Sequence, residues 1–162
     1  MRAPAESPTA TSDYLDILAV EAAYGPRWDA NDGPGWSELF TEDGMFAVAR
    51  PDGTPEVRAR NRAELKDRCD LFNGTYRGVH LLQHPDLTVD GDNARAVVAF
   101  TFWGSLFKGG GTLEVGGFYK VKYARGPEGW KIRARLEVPT LRRTTVLTAR
   151  DIDDIDWLSG EE

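Results

Sequence analysis

The apolar positions of this chain change rhythm once, from mostly helical spacing before residue 73 to alternation with period two after about Arg77. Leu15, Leu18, Ala19 and Ala22 predict a first helix, with Ser12 or Asp13 as its cap. Gly25-Pro26 interrupts it. Proline lacks the N–H and crowds the preceding turn, so a kink or restart is expected before Trp28 and Asp29. A second short helix over Gly35–Phe40 would turn Trp36, Leu39 and Phe40 inward. Met45–Ala49 and Glu56–Ala59 read as short strands around the turn Pro51-Asp52-Gly53. Asn61-Arg62-Ala63-Glu64 matches a capping box and opens a third helix, with Leu65, Cys69 and Phe72 inward and Asn73-Gly74 as its stop.

Four long strands follow, over Gly78–Val89, Ala94–Phe107, Leu113–Ala124 and Trp130–Val138, and Leu141–Arg150 offers one more. Asp90-Gly91-Asp92-Asn93 and Gly126–Gly129 supply hairpin-like turns. Residues 1–11 are expected as a flexible arm, residues 12–150 as one domain and residues 151–162 as an acidic tail. Helices followed by an antiparallel meander predict an α+β fold, with helices covering one side of a curved sheet. In the last clear strand Trp130, Ile132, Ala134, Leu136 and Val138 share one face, opposite Lys131, Arg133, Arg135 and Glu137. The strand before the middle hairpin is apolar on both faces. Ala96, Val98, Phe100, Phe102 and Leu106 stand on one, and Val97, Ala99, Trp103 and Phe107 on the other. Tight packing as a central strand accounts for such a pattern, as does a core on one side with a pocket or subunit interface on the other.

The length of 162 residues suits one domain with its own core, and 41% hydrophobic with 28% charged residues excludes bulk disorder. One cysteine, Cys69, excludes an intramolecular disulfide and a cysteine-rich metal site. The N-terminal stretch has no apolar signal region and no run is long enough to span a bilayer, which predicts a cytoplasmic protein without membrane contact. The net charge of -6 disfavours nucleic acid, and Arg58, Arg60 and Arg62 read as a solvated face.

Chemistry has few candidates. His80 and His84 on a strand would share a face yet stand about 13 Å apart, too far for one metal ion. No HExxH or GxSxG motif is present, and Gly109-Gly110-Gly111 is a plain turn rather than a phosphate loop. His80 suits a general acid or base, and equally a structural role; the same choice holds for His84. Asp29, flanked by Trp28 and Trp36, could orient an imidazole or serve as a helix cap. Tyr24, Tyr76 and Tyr119 could donate phenolic hydrogen bonds, Tyr119 with the best parity. Five tryptophans and seven phenylalanines suit an aromatic-lined cavity for a hydrophobic small molecule.

These segments together resemble the SnoaL-like, NTF2-like (cystatin-like) superfamily over about residues 13–138. The resemblance rests on Tyr24…Asp29, the run from Trp36 through Phe40-Thr41-Glu42-Asp43-Gly44 to Phe46, and the His80 strand. Val89-Asp90-Gly91-Asp92-Asn93-Ala94, Gly117-Phe118-Tyr119-Lys120-Val121 and Gly129-Trp130-Lys131-Ile132 complete it. It implies a cone-shaped, curved mixed or antiparallel sheet covered by N-terminal helices, and a homodimer. Relatives include scytalone-dehydratase-like enzymes, polyketide cyclases, ketosteroid-isomerase-like enzymes and small subunits of ring-hydroxylating dioxygenases, and others without catalysis. In the dehydratase-like branch the resemblance implies Asp29 and His80 as a working pair, with Tyr24 at the family's tyrosine position and His84 lining the cavity. It departs from that branch where a second histidine belongs, at Gly116, Gly117 and Phe118. The expected function is cofactor-independent and metal-free dehydration, isomerisation or cyclisation of a polyketide- or steroid-like substrate. His80, Asp29 and Tyr24 would be catalytic, with Tyr119, Trp28, Trp36, Trp103, His84 and Phe102 around the substrate. A noncatalytic ligand-binding or structural dimer is the first alternative, and an accessory β-type oxygenase subunit the second.

Overall fold

The computed structural model describes residues 8–106 and 110–145. Helix α1 (Pro8–Asp29) runs unbroken through Pro26. The expected kink is absent because the proline lies in the last turn, where only one intrahelical bond is forfeited while the residues beyond it still bond back, Ala30 N–H to the Pro26 carbonyl at 3.0 Å and Asp32 N–H to Arg27 at 2.9 Å. Asn31, at φ 57, then ends the turn. The buried stripe of α1 is Asp13, Ile17, Glu21, Tyr24 and Trp28, not the predicted Leu15, Leu18, Ala19 and Ala22; Leu15 is 59% exposed. Two acidic residues on the true inward face disguised it.

Helix α2 (Gly33–Ser37) is capped by Asp32, whose carboxylate accepts from the Gly35 N–H at 2.9 Å, and it buries Trp36. Strand β1 (Phe40–Ala49) pairs with β2 (Pro55–Ala59). Helix α3 (Arg62–Asn73) opens at Asn61, whose side chain accepts from Glu64 N–H, and buries Leu65 and Cys69 as predicted. The expected strand Gly78–Val89 is two: β3 (Tyr76–Leu82) and β4 (Asp86–Asp90). Pro85, which has no N–H to give a ladder, stands between them. Both lie along β5 (Asn93–Leu106), β3 on its second half and β4 on its first. Strands β6 (Thr112–Gly126) and β7 (Gly129–Thr145) complete a meander, and β7 runs through the stretch where a separate last strand was expected.

The strand order is β2-β1-β7-β6-β5-β3, with β4 also on β5. β1 and β7 are parallel and every other pair is antiparallel, so the sheet is mixed. The cone-shaped, curved sheet expected from the resemblance is not formed. The ladder is open, ending in β2 at one edge and β3 at the other, because the chain leaves five-residue β2 for α3 instead of returning to close the sheet. The helices cover one face. On the other, Val79, Leu81, Val97, Trp103, Phe118 and Leu141 are exposed, so the second apolar face of β5 is uncovered within the chain.

Two irregularities in β7 decide which of its residues point inward. Tyr123 pairs with Ile132 and Lys122 with Ala134, so Arg133 is an extra residue. Parity flips there, and Arg135 and Glu137 join the inner face with Val121 and Tyr119, opposite to the prediction. Thr140 is a second extra residue, between the pairs Gly117–Pro139 and Gly116–Leu141. It turns Leu141 outward and places Arg142 opposite inward-facing Val115. The N-terminal arm as far as residue 7, Phe107, the start of the triple-glycine turn, residues 146–150 and the acidic tail lie outside the described residues.

Candidate active site

The last residue of α1 meets the middle of β3. One Asp29 carboxylate oxygen accepts the His80 backbone N–H at 2.8 Å, and the other lies 2.6 Å from His80 Nδ1. This two-point grip fixes the imidazole by backbone and side chain at once, with Nδ1–H donated to the carboxylate and Nε2 left as the free ring nitrogen. The His80 side chain is 7% exposed. Helix and strand approach this closely because residue 25 is glycine: a Cβ there would stand 3.1 Å from His80 Cβ. Gly25, where a kink before Asp29 was expected, is part of what delivers Asp29 to His80.

His80 opens onto a cavity of about 280 Å3. Tyr24, Trp28, Phe102 and Tyr119 line it with His80. Phe102 packs on the imidazole at 4.7 Å between centroids, and Tyr24 and Trp28 stand edge-on at 6.3 and 6.2 Å. Among the described residues the buried Trp28 Nε1 has no hydrogen-bond partner. Burial raises the pKa of the Tyr24 and Tyr119 phenols, Arg135 opposing it, so they remain protonated donors. Trp36 is fully buried beside Tyr24 and Trp28 but outside the lining. Trp103 is 49% exposed on the opposite face of the sheet, where it donates to Glu114 at 3.2 Å. His84 lies beyond the end of β3, its Nε2 3.2 Å from the Tyr14 hydroxyl, and does not line the cavity. Trp103 and His84 are therefore not brought to His80.

Charged residues beside the cavity are the part that sequence reasoning missed. The Arg135 guanidinium, 1% exposed, lies between the faces of Tyr24 and Tyr119, 3.7 and 4.0 Å from their centroids, and donates to Glu21 at 2.7 Å. The Tyr123 hydroxyl donates to the same Glu21 oxygen at 2.6 Å. Arg58, Arg68, Glu137 and Arg142 line the cavity itself. Glu21 was findable, since it falls on the helical stripe of Ile17, Tyr24 and Trp28. Arg135, Glu137 and Arg142 were not, because bulges set their direction. Among the described residues no group of three or more His, Cys, Asp or Glu is placed to hold a metal, and no helix is long and apolar enough to cross a membrane.

The family model for the SnoaL-like domain matches residues 9–136. No curated protein matches the chain. Among solved structures it is similar to Rv3472 of Mycobacterium tuberculosis, described as a protein of unknown function, at 26% identity, with 91% of this chain and 82% of that one covered and a TM-score of 0.66. A candidate scytalone dehydratase from Novosphingobium aromaticivorans matches at 17% identity, covering 86% and 92%, with a TM-score of 0.73. A candidate aromatic ring hydroxylase from the same organism matches at 23%, covering 86% and 96%, with a TM-score of 0.74. The architecture is thus a small-molecule-binding one, with a buried His–Asp pair set in an aromatic cluster.

Proposed function

The chain belongs to the SnoaL-like domain family, and from that premise we propose that it is a cofactor-independent enzyme that moves a proton on a small, largely apolar substrate. The observation that carries this reading is the two-point hold of Asp29 on His80, which leaves Nε2 as the free nitrogen of a residue that lines the cavity with Tyr24 and Tyr119. His80 Nε2 takes a proton from carbon next to a carbonyl, and Asp29 stabilises the imidazolium that results. Tyr24 or Tyr119 donates a hydrogen bond to the enolate oxygen as charge develops there. Trp28 Nε1 is a further donor to the bound substrate. Return of the proton at another atom gives isomerisation, loss of a β-hydroxyl gives dehydration, and attack on a second carbonyl gives ring closure. A relative described as a candidate scytalone dehydratase supports dehydration as the first to assay.

A specific observation favours a second reading. No histidine stands on β6 at residues 116–118 to serve as a second proton-transfer group, so the cavity would bind a ligand without turning it over. His80→Ala separates the two. Loss of about 10²–10⁴-fold in turnover with retained ligand affinity supports catalysis. Unchanged turnover would sink His80 as the base, and no turnover of any polyketide-like ketone by the native protein moves the function to binding.

A further inference from the structure

A cavity built for a neutral apolar ligand has no use for three guanidiniums. Arg58 comes from β2, Arg68 from α3 and Arg142 from β7, and all three line the cavity that His80 opens onto. They come from three different elements, so their convergence is a property of the fold. At Arg142 the Thr140 bulge sets the direction: Leu141 goes to the outer face, and the arginine, exposed, stands on the cavity side opposite Val115. Arg58 is shared with Glu56 at 3.0 Å. Among the described residues Arg68 Nε is buried without a hydrogen-bond partner, and Arg68 and Arg142 both act on the nearby Glu137 carboxylate. Among the described residues Glu137 is the one acidic residue in the lining, so one carboxylate stands against three guanidiniums.

Arg68 is half-buried, and desolvating its guanidinium is costly unless an anion compensates it; Arg142, itself exposed, lines the same cavity. Resting on the proposed function of the same site, we infer that the substrate carries a carboxylate, and that Arg68 and Arg142 bind it while the reacting carbon is presented to His80. Arginine presents paired N–H groups that match a carboxylate edge to edge, which a lysine or an apolar wall would not. The substrate class is therefore a small cyclic or aromatic keto acid: an apolar body against Phe102, Phe72 and Trp28, with its acid group at the rim. Glu137, opposite Tyr119 in the register, competes for the same guanidiniums and keeps the empty site from being fully uncompensated.

The test uses 2-naphthoate and its neutral isostere 2-naphthamide, titrated into the full chain by isothermal calorimetry. The carboxylate is expected to bind about 10- to 100-fold more tightly than the amide, from charge-assisted bonds to two arginines. The preference shrinks as salt rises. Arg142→Gln, an exposed position that should not affect folding, and Arg68→Gln each reduce it with amide affinity unchanged. Glu137→Gln increases it by removing the competing carboxylate. Equal affinity for acid and amide in the native protein overturns the inference, as does a preference that survives Arg68→Gln/Arg142→Gln in a variant with a native circular dichroism spectrum. His80→Ala keeps the acid preference. Acid preference without any turnover leaves this subsite standing and defeats the catalytic reading, whereas turnover of neutral ketones without acid preference does the reverse.

Discussion

Removing the Glu21 carboxylate is expected to destabilise the protein strongly. Glu21 and Arg135 are 5% and 1% exposed, and the pair is only partly satisfied. Glu21 Oε1 accepts from Arg135 and from the Tyr123 hydroxyl, while Glu21 Oε2 and two of the three Arg135 nitrogens have no partner among the described residues. The remaining compensation for the cation is the faces of Tyr24 and Tyr119. In Glu21→Ala the guanidinium stays buried with its counter-charge gone, a loss of about 3–5 kcal/mol. Against a total of about 5–15 kcal/mol for a domain, that is a large share. Glu21→Gln/Arg135→Met removes both charges and keeps an acceptor for Tyr123, and it should recover to within about 2 kcal/mol of the native protein. Urea unfolding followed by tryptophan fluorescence reads both, as a lowered midpoint at unchanged m. A Glu21→Ala cost below about 1 kcal/mol, or a double variant as unstable as the sum of the two single ones, would refute the claim that charge burial governs this site.

Three shorter tests follow. Burial is the largest influence on Glu137 and holds its carboxyl above the ordinary 4.5, with Arg142 and Arg68 opposing it. Its contribution to stability is present below 4.5 and lost as pH rises through the folded value, so Glu137→Gln should match the native protein in acid and exceed it at pH 8 in urea melts. Cys69 is fully buried and its thiol is pushed up to about 12 by burial, so it should react with an aromatic disulfide reagent only after denaturation. We propose that the uncovered face of Val79, Leu81, Val97 and Trp103 joins a second copy of the chain. Light scattering should then give a dimer, and Leu81→Asp/Trp103→Asp a folded monomer; a native monomer at tens of micromolar contradicts it.

Much of this architecture is legible locally. Helix α3 begins at its capping residue, the hairpin turns fall at Gly53, Gly91 and Gly129, and the period-two region is sheet. Pro85 marked the division between β3 and β4 in the sequence, though the apolar alternation on either side hid it. Whether a sheet closes depends on where its edge strands go, which no local pattern carries, so an open mixed ladder stands where a curved cone was expected. The site divides the same way. Tyr24, Asp29 and His80 stand out as polar groups among aromatics, and the structure brings them together. Trp103 and His84 were expected around the substrate, and β5 and the end of β3 turn them elsewhere. Buried Arg135 and exposed Arg142 both stand on the cavity side of the sheet because single extra residues, Arg133 and Thr140, reverse the alternation before them. A bulge has no sequence signature of its own, and here it decides the electrostatics of the pocket.

Proton abstraction at this site requires that Nε2 be the free ring nitrogen of His80. Nitrogen-15 spectra of uniformly labelled protein, recorded at a pH where the ring is neutral, read this directly, because protonated and bare ring nitrogens resonate far apart. Asp29 holding Nδ1–H predicts a bare Nε2 in the native protein, with that preference lost in Asp29→Asn. A native spectrum with the proton on Nε2, unchanged by that substitution, would mean that the cavity faces a donor rather than a base, and the proposed proton abstraction would fall with it.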